Sequence, residues 1–154
     1  DHSLRWHSPR VGASNPNDDA HPNGPILLTK QEDGVLTLTL NRPQQRNALN
    51  RDLLELLQRE LEYAAQHPRD VRAIVLQGAA GSGSSSTVFS SGHDLKELQS
   101  LEEAGQRDLL KLCSDVMQLL PSIPQPTIAA VDGLATAAGC QLVAACDLAI
   151  GNPM

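Results

Sequence analysis

Aromatic side chains are nearly missing from this chain: Trp6, Tyr63 and Phe89 are the three rings in 154 residues. Three rings cannot build a base-stacking platform. A phosphate backbone would also meet the wrong charge, because 18 Asp and Glu outnumber 12 Lys and Arg and leave a formal −6 at neutral pH. No nucleic acid is expected as a partner. Long hydrophobic runs are missing too. The uncharged stretches 116–131 and 133–146 fall short of the roughly 20 apolar residues of a helical bilayer crossing, and Pro121, Pro124 and Pro126 interrupt the first. No membrane is expected as a partner either. The three cysteines, Cys113, Cys140 and Cys146, show no C-x-x-C spacing and leave an odd thiol. That supports neither a disulfide framework nor a zinc site, and it fits a reducing compartment.

Residues 1–25 hold four of the ten prolines and three of the five histidines, with Leu4, Trp6, Val11, Ala13 and Ala20 as their apolar material. Such a segment cannot build a core and is expected to be a flexible N-terminal arm ahead of one domain at 26–154. Its histidines, His2, His7 and His21, have no ligand spacing, so no metal site is expected. There is no initiator Met, signal core or Arg-rich leader, and a processed or excised chain is expected.

From Ile26 the composition changes. Residues 26–31 and 35–41 read as strands joined across Glu32-Asp33-Gly34, with Leu36, Leu38 and Leu40 alternating against Val35, Thr37 and Thr39. Asn50 can cap a helix running to Gln66, with Leu53, Leu54, Leu57, Leu61 and Ala64 at helical spacing. Ala73-Ile74-Val75-Leu76 lacks polar alternation, as a strand buried on both faces would. Residues 78–92 read as a Gly/Ser-rich loop. Ser100-Leu101-Glu102-Glu103 matches a capping box for a helix striped by Leu109, Leu110, Leu112, Cys113, Val116, Met117 and Leu120, which Pro121 ends. A strand at 127–131, a small-residue helix at 135–145 and a strand from Asp147 complete the series. The alternation predicts an α/β fold with a mainly parallel sheet and right-handed crossovers.

Three chemistries are open to these residues. Gly78-Ala79-Ala80-Gly81-Ser82-Gly83 follows a strand but lacks both the third glycine of a dinucleotide fingerprint and the Gly-Lys-Ser/Thr of a P-loop. Ser82, Ser84, Ser85, Ser86, Ser90 and Ser91 beside His93 offer a nucleophile and a base, without the strand-to-helix elbow that exposes a catalytic serine. The third chemistry uses the main chain. Ser91-Gly92-His93-Asp94-Leu95 and Ala137-Ala138-Gly139-Cys140-Gln141 each follow a predicted strand, where ligands of parallel sheets bind. Small residues there let a substrate approach backbone N–H groups, two of which would each stabilise an oxyanion by roughly 3 kcal/mol. Tight packing of helix on sheet would select the same small residues.

Asn41-Arg42-Pro43, Asn47-Ala48-Leu49, Ser91-Gly92-His93-Asp94-Leu95-Lys96-Glu97 and Val131-Asp132-Gly133, continuing through Gly139-Cys140-Gln141-Leu142 to Cys146-Asp147, stand in the order and spacing of four blocks. In these blocks the chain resembles the enoyl-CoA hydratase/isomerase, or crotonase, superfamily. The resemblance runs over 26–150 and is greatest to a mitochondrial member. It implies a spiral of β-β-α units, usually trimeric, that binds acyl-CoA bent into a hook. By position, Asn47, Ala48 and Leu49 would line the coenzyme A entrance, while Asp94 and Leu95 would help hold the adenine side. His93 and Ala138 would supply the two oxyanion-hole N–H groups. The His93 side chain is not needed for that role, and Asn41 and Pro43 read as turn-makers.

Gln141 stands where hydratases of the superfamily carry one catalytic glutamate, and an amide neither gives nor takes a proton near neutral pH. The second glutamate belongs to a part of the fold beyond Met154. The resemblance therefore implies the first half of a crotonase-like fold, a truncated or alternatively spliced product, ending in a strand without a next neighbour. The expected function is acyl-CoA handling in fatty-acid metabolism, catalytically impaired in this chain. It needs no cofactor beyond the coenzyme A thioester itself as substrate or ligand, and its expected location is mitochondrial. The rival reading is a non-catalytic module that joins full-length crotonase-family subunits, so a homo- or hetero-oligomer is expected. A third reading, an isomerase using one glutamate, applies to an intact parent protein.

Overall fold

The computed structural model describes residues 24–81 and 87–151. The histidines at 2, 7 and 21, the serines at 82 and 84–86 and nearly all of the N-terminal arm lie outside the described residues. The strands are β1 (Leu27–Glu32), β2 (Val35–Leu40), β3 (Ala73–Gly78), β4 (Val88–Ser90), β5 (Thr127–Val131), β6 (Leu134–Ala135) and β7 (Leu148–Gly151). The helices are α1 (Arg51–Gln66), α2 (Leu95–Ser100), α3 (Glu103–Leu119) and α4 (Ala138–Ala145).

Alternating leucines and a two-residue turn set the first hairpin. Asp33 and Gly34 both sit at positive φ, 50° and 80°, as a tight turn between antiparallel β1 and β2 requires. Asn50 then caps α1, its side-chain oxygen accepting from the Leu53 amide at 3.1 Å. The chain returns through α1 to lay β3 parallel to β2. β5 and β7 extend the sheet in parallel to give the order β1-β2-β3-β5-β7, while β4 and β6 pair in parallel as a separate small sheet.

Register puts Leu36 beside Ile74 and Leu38 beside Leu76, so one face of the sheet is continuous. The α1 leucines 53, 54, 57 and 61 join it in the core with Leu109, Cys113 and Val116 of α3 and with Phe89 of β4. Each fully buried leucine contributes on the order of 2 kcal/mol relative to exposure. The other face is only half-buried: Thr37, Thr39, Val75 and Gln77 lie there, and Gln77 donates to the Thr39 hydroxyl at 3.0 Å. Burial of β3 on both faces is thus corrected to burial on one, because α1 and α3 pack into a single core.

Several local expectations change. Residues 78–92 are not wholly loop, since β4 forms there by pairing with a partner far along the chain. The capping box does not form. Ser100 ends α2, its hydroxyl donating to the Glu97 carbonyl at 2.7 Å, and α3 starts at Glu103 without a side-chain cap. Gln106 instead satisfies the Leu98 and Leu101 carbonyls. Leu110 faces solvent rather than the core. Residues 134–135 are strand, and α4 begins only at Ala138. The last strand runs along an outer edge, with Leu148 59% and Ile150 63% exposed. It is pinned where it starts. The Asp147 carboxylate accepts from the amide and hydroxyl of Thr127 at 2.7 and 2.9 Å, and these bonds hold its pKa below the ordinary carboxylate range.

Two backbone features set up the end of the sheet where residues 42–49, 90–94 and the start of α4 lie together. Arg46 and Asn47 turn the β2–α1 connection at φ 55° and 51°. Asn47 is buried, and its amide is fully used: the oxygen accepts from Arg42 N–H at 3.0 Å, and the nitrogen donates to the carbonyls of Ala79 at 3.0 Å and Val88 at 2.7 Å. The second feature is Ala137, at φ 49° and ψ −126°, a conformation that a residue carrying a Cβ adopts only under strain.

Asn47→Ala strips three partly buried backbone groups of their partner and is expected to lower unfolding free energy by about 3 kcal/mol in urea titration; a loss within error would show the staple to be idle. Ala137→Gly is expected to act in the opposite sense. Strain relief exceeds the added chain entropy, so the urea midpoint rises by the equivalent of about 1 kcal/mol, and an unchanged or lower midpoint would count against strain at this position.

Candidate functional site

β4 and β6 run side by side, and the segments that leave their carboxyl ends stay together. Thr136 N–H donates to the Ser90 carbonyl at 3.0 Å. A Cβ on Gly139 would strike that same carbonyl, and one on Gly92 would come 3.0 Å from the Ala138 nitrogen and 2.9 Å from the Ala137 Cβ. Glycine at 92 and 139 is what lets the start of α4 lie against residues 90–93. Gly92 also sits at φ 91°, which favours glycine over any other residue.

On its far side the same segment is bridged to the start of α1. Leu49 N–H donates to the Gly92 carbonyl at 2.8 Å, and Asp94 N–H donates to the Leu49 carbonyl at 2.9 Å. No peptide bond among the described residues is cis. Across the trans peptide the His93 N–H must therefore point opposite to the Gly92 carbonyl, away from Leu49. The same reasoning fixes Ala138. The Ala137 carbonyl accepts from Cys140 and Gln141 inside the first turn of α4, so the Ala138 N–H points out of the helix start. Neither amide has an acceptor among the described residues. Two unpaired donors on adjoining segments can polarise a carbonyl oxygen.

The remaining expected residues serve the frame. Asn47, Ala48 and Leu49 are buried, and their main-chain groups are bonded internally. Asn47 N–H donates to Arg42 and Ala48 N–H to Gln45, while the Asn47 carbonyl accepts from the Ser90 hydroxyl and the Ala48 carbonyl from the Arg42 guanidinium. None of these main-chain groups is left to spare for a ligand. Asp94 caps α2, accepting from Lys96 and Glu97 N–H at 3.2 and 3.3 Å. Its second oxygen accepts from Arg42 at 2.8 Å. Leu95 is 63% exposed, and Gln141 is exposed on α4. Ser90 is fully buried, with its hydroxyl held between the Asn47 carbonyl and Gly92 N–H, so the serine-nucleophile reading fails at this position.

Burial alone would raise the Asp94 pKa, but the Arg42 guanidinium and the two amides outweigh it and keep the carboxyl below its usual range. Burial lowers the His93 pKa, and its Nε2 is buried without a hydrogen-bond partner. The ring is neutral at neutral pH and is no proton source there. Desolvation pushes the Cys146 thiol up to about 11, so it is no nucleophile. No cluster of metal-ligating side chains occurs among the described residues.

Sequence reasoning missed Arg42. It read the flanking Asn41 and Pro43 as turn-makers, and Asn41 does tie the loop to Pro25 through its amide at 2.8 Å. The partner of Arg42 is 52 residues away, a separation no local spacing discloses. The available signal was a cation set between Asn41 and Pro43.

The sequence profile of the enoyl-CoA hydratase/isomerase family matches residues 30–152. Enoyl-CoA hydratase domain-containing protein 3, mitochondrial, of Xenopus laevis is 41% identical over 131 residues, which are 83% of this chain and 42% of that protein. A crystal structure of an enoyl-CoA hydratase of Mycobacterium smegmatis superposes with a TM-score of 0.74 at 43% identity, over 82% of this chain and 48% of that one. The human enoyl-CoA hydratase domain-containing protein 3 gives 0.70 at 40% identity, over 82% and 47%. The chain thus spans about half the length of the relatives it matches. The β1-β2-α1 unit, the parallel strands that follow it and these matches agree: the chain has the crotonase fold and belongs to the enoyl-CoA hydratase/isomerase family.

Proposed function

We propose that this chain handles acyl-CoA thioesters of fatty-acid metabolism by holding the thioester oxygen between the His93 and Ala138 N–H groups. The carrying observation is that both amides lack an acceptor while their segments pack closely enough to require glycine at 92 and 139. Backbone donors fixed in place before the ligand arrives need no reorganisation, and each is worth roughly 3 kcal/mol to a developing oxyanion. Residues 47–49 form the wall of the coenzyme A entrance through their shape. Asp94 and Leu95 help hold the adenine side. The mitochondrial names of the relatives support the same location for this chain.

Polarising a thioester does not by itself add water. Hydration also needs a group that moves a proton, and Gln141 cannot. His93 has its Nε2 buried away from solvent, so that nitrogen does not take that place. We therefore assign this chain binding and carbonyl polarisation without hydratase turnover. A second reading, a module that joins subunits of the same family, rests on β7, whose outer edge is unpaired within the sheet and whose leucine and isoleucine face solvent. Co-purification with a full-length family member, in the absence of any coenzyme A binding, would favour it.

A cinnamoyl-CoA carrying an electron-donating ring substituent absorbs at longer wavelength when its carbonyl is polarised. The chain is expected to bind it with such a red shift. Ala138→Pro removes one donor and is expected to abolish the shift, with circular dichroism confirming that α4 persists; an unaltered shift in a folded variant would reject the site. Incubation with a short enoyl-CoA is expected to leave the conjugated thioester absorbance unchanged. Steady loss of that band would refute the assignment of binding without turnover.

A further inference from the structure

Arg42 and Asp94 come from the two blocks that meet at the His93 peptide. Arg42 Nη2 donates to the Asp94 carboxylate at 2.8 Å and Nη1 to the Ala48 carbonyl at 2.5 Å. The side chains are only 13% and 14% exposed. An exposed ion pair of this kind would contribute little, but a largely buried guanidinium that bridges two acceptors is short of alternatives. The bridge closes a ring: Arg42 to Ala48, along the chain to Leu49, across the main-chain bonds to Gly92 and Asp94, and back through the carboxylate. His93 is the residue enclosed by that ring. Its own side chain is not a member.

We infer that the Arg42–Asp94 pair is a positioning device that fixes the direction of the His93 N–H, so that aim of this donor depends on a side chain 51 residues earlier in the chain. This rests on the reading of His93 as a thioester-oxygen donor. Two physical features support it. The His93 N–H lies in the Gly92–His93 peptide, and Asp94 is the residue directly after His93, so a rotation of that peptide carried on through His93 moves the carboxylate against a guanidinium that is itself held at Ala48. Arg42 is in turn anchored at its main chain, because its N–H donates to the Asn47 side chain at 3.0 Å. Lysine at 42 would keep the charge but could not reach both acceptors with a planar fork. Asparagine at 94 would keep the helix cap, a role Asn fills as well as Asp, and lose the charge facing Arg42.

The test uses the full chain with the same cinnamoyl-CoA probe, read as the size of the red shift at saturation, which affinity does not affect. Arg42→Lys and Asp94→Asn are expected to retain the circular dichroism of the parent and to lose about half of the red shift, whereas Arg42→Met loses more than Arg42→Lys. A full red shift in both folded variants overturns the inference while leaving the thioester site intact. Unfolding of both also overturns it, because the pair would then be a stability element and not a positioning one. If one of the two unfolds, the folded one decides. A parent chain that binds the probe without any red shift defeats the proposed function instead, and that result is read before any variant is made.

Discussion

A carbonyl fixed on one side of a trans peptide forces the neighbouring amide to the other side, and this simple constraint organises the carboxyl end of the sheet. The Gly92 carbonyl is held by the Leu49 amide, so the His93 N–H is turned away from α1. Everything that fixes Leu49 therefore acts on the direction of that donor. Leu49 is itself fully buried and follows Asn47, whose amide ties the β2–α1 connection to the ends of β3 and β4. Packing and hydrogen bonding here are one mechanism: the core holds Leu49, Leu49 holds Gly92, and Gly92 sets His93.

The matching donor depends on α4, and α4 is placed by small residues. Gly139 lets the helix start touch Ser90, and at Gly92 a Cβ would stand 2.9 Å from the Ala137 methyl and 3.0 Å from the Ala138 nitrogen. Against this background Ala137 is conspicuous, because it carries a methyl at φ 49° and ψ −126° where glycine would be unstrained. The strain sits at the residue immediately before the proposed donor. A chain that tolerates it there has its helix start held firmly from elsewhere, by Thr136 on Ser90 and by the buried Leu142 in the core.

Periodic elements were legible in the sequence and brief ones were not. The α1 leucines, the Asn50 cap and the alternation of β2 are repeated local signals, and the structure follows them. β4, β6 and α2 span three, two and six residues, too few for any period to register. Their existence depends on partners: β4 on β6, and α2 on an aspartate that an arginine 52 residues away holds in place. The capping box failed for the same reason, since Ser100 had already been drawn into the end of α2. At the candidate site, the two segments that adjoin were readable from their small residues and family resemblance. The internal saturation of Asn47, Ala48 and Leu49 was not, because it is set by tertiary bonds to Arg42, Ser90 and the strand ends.

The outer edge of the sheet is connected to this site by covalent and hydrogen-bonded links. α4 runs directly into Cys146 and Asp147, and the Asp147 carboxylate grips Thr127 at the head of β5 before β7 begins. Thr127 is buried while β7 is exposed along its length, so the grip joins a well-packed strand to a poorly packed one. Covering Leu148 and Ile150 would contribute roughly 2 kcal/mol for each side chain fully buried. Some of that free energy would fall on α4, whose carboxyl end is joined to β7 through Cys146 and the Thr127-bound Asp147. Occupancy of the edge and rigidity of the Ala138 amide are consequently linked quantities, and by linkage whatever binds the edge better in the ordered state also favours the ordered helix start. The thioester reading and the subunit-joining reading are therefore not physically independent: α4 carries the proposed donor at one end and the edge strand at the other.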